Sequence, residues 1–160
     1  YGVKGFFYFT YWSTKEDVTA IVDSTGEPGP LYPVVQQLNG EILGLGKRLL
    51  SLESNGVYNT GETIPEGTRR LPEDAPLNIE GSPPLVVGFF ESEQGESYVM
   101  LANRDHDESV RWAVQFTPDV TGLQRVSKQD GSLIPIPLGP NRRLSRTLPP
   151  GGGTLFLMEE

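Results

Sequence analysis

No cysteine occurs anywhere in the 160 residues. Disulfides and thiolate metal sites are therefore excluded, while the redox compartment stays open. A single histidine, His106, removes any His-pair metal centre and leaves a Ser-His-Asp triad dependent on one residue of a polar stretch. Cations are scarce as well: 13 lysines and arginines against 21 acidic residues give a net charge of −8. Nucleic acids and anionic membranes both select for clustered cations, so neither is an expected partner. The basic residues that do gather, Arg142, Arg143 and Arg146, lie among apolar ones and suit an exposed strand face. No apolar run approaches the ~20 residues of a membrane-spanning helix.

Turn chemistry is what the chain has in excess. With 14 prolines and 19 glycines, it reads as many short elements, the habit of all-β architecture. Residues 84–160 carry that reading. Leu85–Ser92 and Ser97–Arg104 flank Glu93-Gln94-Gly95-Glu96, a hairpin signal. In Val110–Thr117 the residues Val110, Trp112, Val114 and Phe116 share one face and Arg111, Gln115 and Thr117 the other, so one face of that sheet is buried. Leu123–Lys128, Leu133–Leu138, Arg142–Leu148 and Thr154–Met158 complete seven short strands, which predicts a mainly β fold with an antiparallel β-sandwich. Residues 55–83, broken by Gly61, Pro65, Gly67, Pro72, Pro76 and Gly81, are expected to be a connector. No internal repeat is apparent.

Residues 1–54 differ in kind. Gly5-Phe6-Phe7-Tyr8-Phe9-Thr10-Tyr11-Trp12 is apolar on both faces, which suits a strand buried on both sides of a helix-covered parallel sheet. After a polar loop and Gly26-Glu27-Pro28-Gly29-Pro30, Val35, Leu38, Ile42, Leu45, Leu49 and Leu52 recur at spacings of three and four, predicting one long helix. Gly40, Gly44 and Gly46 each cost that helix about 1 kcal/mol against alanine, and mark either close packing or a kink. One strand and one helix cannot build a parallel sheet. The segment is therefore expected to be the C-terminal piece of something larger.

The same residues carry a resemblance. Gly5–Trp12, then Ala20-Ile21-Val22-Asp23 and Gly26, then Tyr32, Gln37-Leu38-Asn39 and Glu41-Ile42, resemble the last strand and last helix of the (β/α)8 barrels of β-galactosidase-like proteins in the glycoside hydrolase A clan. Tyr98–Asp105 and Leu148–Phe156 resemble the β-sandwich that follows such a barrel. The resemblance implies a missing N-terminal barrel as the partner of residues 1–54. It also implies that Tyr11 and Trp12, at a strand's C-terminal end, form an aromatic floor for a sugar in the parent protein. The two catalytic carboxylates that glycoside hydrolysis requires would sit on earlier strands, outside this chain. Glu16 and Asp17, in the loop after the strand, read as solvated acids. No catalytic residue, metal site or cofactor is expected within the chain.

Two smaller constellations bear on metal and phosphate binding. Asp105, Asp107 and Glu108 around His106 read as a solvated hairpin tip, with a calcium site as the alternative because Ca²⁺ takes clustered hard oxygens. Gly151-Gly152-Gly153 lacks the lysine and following helix of a phosphate loop, and reads as a strand connection. The expected role is a non-catalytic accessory and structural domain of a glycoside hydrolase-like protein. The alternative is a stand-alone β-sandwich that binds carbohydrate or a protein, for which Tyr98 and Trp112 are the candidate rings although the alternation puts Trp112 on the core face. The helix stripe is expected to be buried by packing on one sheet, and self-association is a further expectation for the apolar segment.

Overall fold

Strand β5 (Val110–Phe116) shows how period-two patterning builds the larger unit. Val110, Trp112, Val114 and Phe116 are buried, while Arg111 and Gln115 face solvent. The same inward set continues on β2 (Leu77–Ile79) and β8 (Arg143–Leu148), which flank β5 in a three-stranded antiparallel sheet of order β2-β5-β8. Leu144 sits opposite Val114, and Leu77 opposite Phe116.

The second sheet has six strands in the order β1-β3-β4-β9-β6-β7. They are β1 (Leu52–Asn59), β3 (Leu85–Ser92), β4 (Ser97–Asn103), β9 (Gly153–Glu159), β6 (Gly122–Val126) and β7 (Leu133–Pro135). All its neighbours run antiparallel. Val87, Val99, Leu101, Phe156 and Met158 join the residues of the first sheet in a single apolar core, where Trp112 meets the edge of Phe156 with ring centroids 6.4 Å apart. The expected mainly β, antiparallel sandwich is the observed one, with nine strands among the described residues in place of the seven expected. The additional two are β1 and the three-residue β2 inside the proline-rich connector.

The computed structural model describes residues 2–12 and 20–160, and these divide into two compact units. The first holds the two sheets. The second comprises residues 3–50 together with the turn 127–131. Its helix α1 (Tyr32–Leu50) runs unbroken through all three glycines. At Gly44 a Cβ would collide with the carbonyl of Lys128, whereas Gly40 and Gly46 face open space. One glycine of three is thus a close-packing site. The last turn carries Lys47 and Arg48, favourable against the helix dipole, and Lys4 Nζ donates to the carbonyls of Leu49 (3.3 Å) and Leu50 (3.0 Å).

Two expectations for this unit are corrected. The apolar helix stripe is not buried: no residue of α1 is, and Leu38 and Ile42 remain exposed. Leu52, counted at its end, belongs instead to β1 and is fully buried there. Gly5–Trp12 is not a strand. No described strand pairs with it, and its one ladder contact is an isolated parallel bridge between Trp12 and Val22. Strand identity depends on a neighbour's hydrogen bonds, and none of the antiparallel strands supplies them.

Candidate functional site

Tyr11 and Trp12 lie where the second unit turns toward its proline-rich loop. The Tyr11 carbonyl accepts a 3.0 Å hydrogen bond from the Val22 amide, and that bond holds the parallel bridge. Both rings are more than half exposed, at 59% and 54%. Upstream, Phe6 and Tyr8 meet edge to face at 5.4 Å, and the Tyr8 hydroxyl donates to Asn39 Oδ1 on α1 at 2.9 Å. Phe7 and Phe9, on alternate positions, are almost wholly solvent-exposed, at 100% and 97%. Aromatic rings of this kind can cover the C–H face of a pyranose. Glu16 and Asp17 lie outside the described residues.

Beyond the aromatic pair, Asp23 organises the loop that leads to the helix. Its Oδ1 accepts from the Thr25 hydroxyl, the Thr25 amide and the Glu27 amide at 2.7–3.0 Å. The Thr25 hydroxyl bond, with the amides behind it, lowers the Asp23 pKa below its ordinary value. This is a turn-stabilising carboxylate, already saturated with local donors.

The polar tip at 105–108 has a similar logic. Asp105, His106 and Asp107 bring one ligand atom each within 4.8 Å of one another. Asp105 Oδ1, however, accepts from the amides of Asp107 (2.9 Å) and Glu108 (3.0 Å), and these lower its pKa. His106 Nε2 stands 3.3 Å from Asp107 Oδ2 with both side chains in solvent. The expected hairpin tip is instead the crossing from β4 in one sheet to β5 in the other, since these two strands do not pair, and it offers a cation no enclosed set of oxygens.

A third place was not signalled by the sequence. In the first unit, the connector folds back along β1 and β2 and walls a cleft of about 200 Å³. Its polar lining comes from Asn59, Arg70, Glu73, Asn78 and Ser82, and Leu71 and Leu77 contribute apolar surface. The connector is firmly tied. Arg70 donates to the carbonyls of Gly61 and Glu62, each at 2.9 Å, and Arg104 Nη2 donates to those of Thr60 (3.0 Å) and Thr63 (2.8 Å). Gly61 makes this crossing at φ +120°, a conformation closed to side-chain-bearing residues. Asn59 is 2% exposed and its Nδ2 has no hydrogen-bond partner. The single sequence signal for the cleft would have been that asparagine, polar at the inward end of a strand.

Tyr98 and Trp112, the aromatics that a sugar-binding sheet face would have used, are both buried. The two expected site residues, Tyr11 and Trp12, are adjacent and accessible. No protein-family model, no curated protein and no solved structure matches this chain.

Proposed function

We propose that the chain is the non-catalytic C-terminal accessory and structural part of a glycoside hydrolase-like protein, with the residues up to Leu50 completing a barrel that precedes the sandwich. The observation that carries this reading is the exposure of the second unit. Val3, Phe6, Phe7, Phe9, Tyr11 and Trp12 are all more than half exposed, and the adjoining helix buries nothing. Continuous apolar exposure of this kind is rare on monomers and marks a surface made to be covered. A segment apolar on both faces, whose one ladder contact is the Trp12–Val22 bridge, matches a strand that expects a neighbour on each edge and a packed layer on each face.

In that setting Tyr11 and Trp12 would contribute an aromatic wall to a sugar site whose acids belong to the parent barrel. The sandwich would serve as a buttress. The reading is tested by amide hydrogen exchange on residues 3–12, in this chain alone and in the product of the coding sequence with its upstream portion. Protection that rises at least about a hundredfold in the longer product supports it. Equal exchange in both, or an upstream sequence without acidic residues at the ends of barrel strands four and seven, rejects it. The alternative, a stand-alone binding module, loses its sheet-face form with the burial of Tyr98 and Trp112.

A further inference from the structure

We infer that the outer edge of β1 is a docking site for an extended peptide, which joins the six-stranded sheet as a further strand and carries an acidic and a basic residue four positions apart. The site lies within the first unit and does not depend on kinship with glycoside hydrolases.

Backbone geometry defines the site. β1 ends the strand order of its sheet, so a described strand pairs with it on the β3 side alone. At Asn59 the other side is used as well. Its amide donates to the Arg69 carbonyl (2.7 Å) and its carbonyl accepts from the Leu71 amide (3.3 Å), where the connector runs parallel to β1. Backbone groups alternate in direction along a strand, so Val57, two residues back, turns its N–H and C=O to the same side. No backbone bond joins Val57 to the connector, which has diverged by then. A cleft of about 480 Å³ separates residues 54–57 from residues 67–69. A slot bounded by strand backbone fits a ligand whose donors and acceptors alternate at the strand repeat, which is another extended backbone. The connector wall also selects among occupants. The edge of a second copy would have to bring its own β3 to the place where residues 67–69 stand.

Side chains state what that peptide carries. The eight residues of β1 include one charge, Glu53, and no proline, so the edge is lightly guarded against an added strand. A bulge between Ser54 and Gly56 puts Glu53 and Tyr58 on one face, opposite Glu91 and Val87, which are four residues apart on β3. Glu53 and Glu91 are both exposed and directly opposite, a repulsion that a cation from the peptide relieves. Among the described residues no ion pair engages either one. At the other end the Arg69 guanidinium lies over the Tyr58 ring, 5.0 Å from its centroid. Stacking uses the face of the guanidinium and leaves its rim of N–H groups suited to a carboxylate. The edge is thus anionic at one end and cationic at the other.

The test uses the whole chain and labelled peptides of about eight residues, with alternating Thr and Val and with one Glu and one Lys four positions apart, in both orders. Both orders are needed because the added strand can run either way. One order is expected to bind with a Kd of about 100 µM, and to slow amide exchange at Val57 at least about tenfold. The other order, and versions with two Lys or two Glu, should bind at least about threefold more weakly. Glu53→Gln should cost the preferred peptide about threefold. Val57→Pro removes an N–H that β3 does not use, and should abolish binding while the circular dichroism of the chain is kept. The preferred peptide N-methylated throughout, which cannot donate, should not bind. Absence of binding by either order at about 1 mM overturns the inference. So does equal binding of the N-methylated peptide, or unchanged binding to folded Val57→Pro. Protection of Val57 that grows with the concentration of the chain alone would give the edge to a second copy and overturn it too. Equal binding of all four charge patterns overturns the assignment of the acidic and basic residues.

Discussion

Asn103 Nδ2 donates to the carbonyl of Pro149 at 3.0 Å and so joins the end of β4 to the loop between β8 and β9, 46 residues away. The same amide donates to the Glu108 carbonyl at 2.7 Å, and its Oδ1 accepts from the Asp105 amide at 2.9 Å. At 4% exposure, Asn103 is a buried polar group with its hydrogen-bonding capacity well used. Asn103→Ala should destabilise the chain by about 1–3 kcal/mol, because the Glu108 carbonyl and the Asp105 amide lose the bonds that tie this loop, while the Pro149 carbonyl keeps only the Gly152 amide. Asn103→Asp should cost more at neutral pH, since a carboxylate would face two carbonyl oxygens. That excess penalty should shrink as the pH falls and the new carboxyl protonates. Urea melts at pH 7 and pH 4 measure both effects.

The strand pattern was legible because the sandwich half follows period two with few exceptions. In β5 each of Val110, Trp112, Val114 and Phe116 is buried as its parity demands. The Glu93–Glu96 turn joins β3 and β4 as expected, its Ser92 and Glu96 backbones pairing at 3.0 Å. Strand β2 was hidden because three residues between prolines carry no period, and only pairing with β5 makes Leu77–Ile79 a strand. The cleft was hidden for a related reason: Asn59, Arg70 and Asn78 are far apart in sequence and meet only when the connector folds back. At Gly5–Trp12 the pattern described the residues' preference correctly but not their state, because a strand also requires partners.

Gly44 gives a test of sign. Alanine for glycine inside a helix ordinarily gains up to about 1 kcal/mol. At Gly40, which faces open space, Gly40→Ala should show that gain. At Gly44 a Cβ would meet the backbone carbonyl of Lys128, which cannot swing aside as a side chain would. Gly44→Ala should therefore destabilise the second unit by about 1–3 kcal/mol, the range for overpacking. Helix-specific circular dichroism during urea unfolding would separate the two variants, and a gain at both positions would show that the turn 127–131 is not held against α1.

Glu41 and Lys128 make an ion pair, Nζ to Oε2 at 2.6 Å, with a 3.2 Å bond from Gln37 Nε2 to the other carboxylate oxygen. The Lys128 hydrogen bond is the main cause that lowers the Glu41 pKa, with burial opposing it. A carboxylate lowered on folding contributes stability above its unfolded pKa of ~4.3, and that contribution disappears as pH falls through the lower folded value. Glu41→Gln should thus cost about 0.5–1 kcal/mol at pH 7, as expected for a partly exposed pair, and nothing at pH 2–3. At neutral pH, 1 M salt should remove much of the difference. A penalty that is constant with pH would assign the effect to packing.

Exposure predicts opposite fates for two apolar residues. Leu101 is fully buried in the sandwich core, and Leu101→Ala should cost about 2–5 kcal/mol through lost transfer energy and the cavity left behind. Phe7 is fully exposed, so Phe7→Ser should change the stability of the chain by no more than about 0.5 kcal/mol. Its effect should instead be on association. The double variant Phe7→Ser/Phe9→Ser removes the two most exposed rings of the apolar segment, and should lower both hydrophobic-dye binding and the mass seen by light scattering at high concentration. If Phe7→Ser unfolds the chain as Leu101→Ala does, the ring is packed in solution, and the surface offered to a barrel or a second copy is not open.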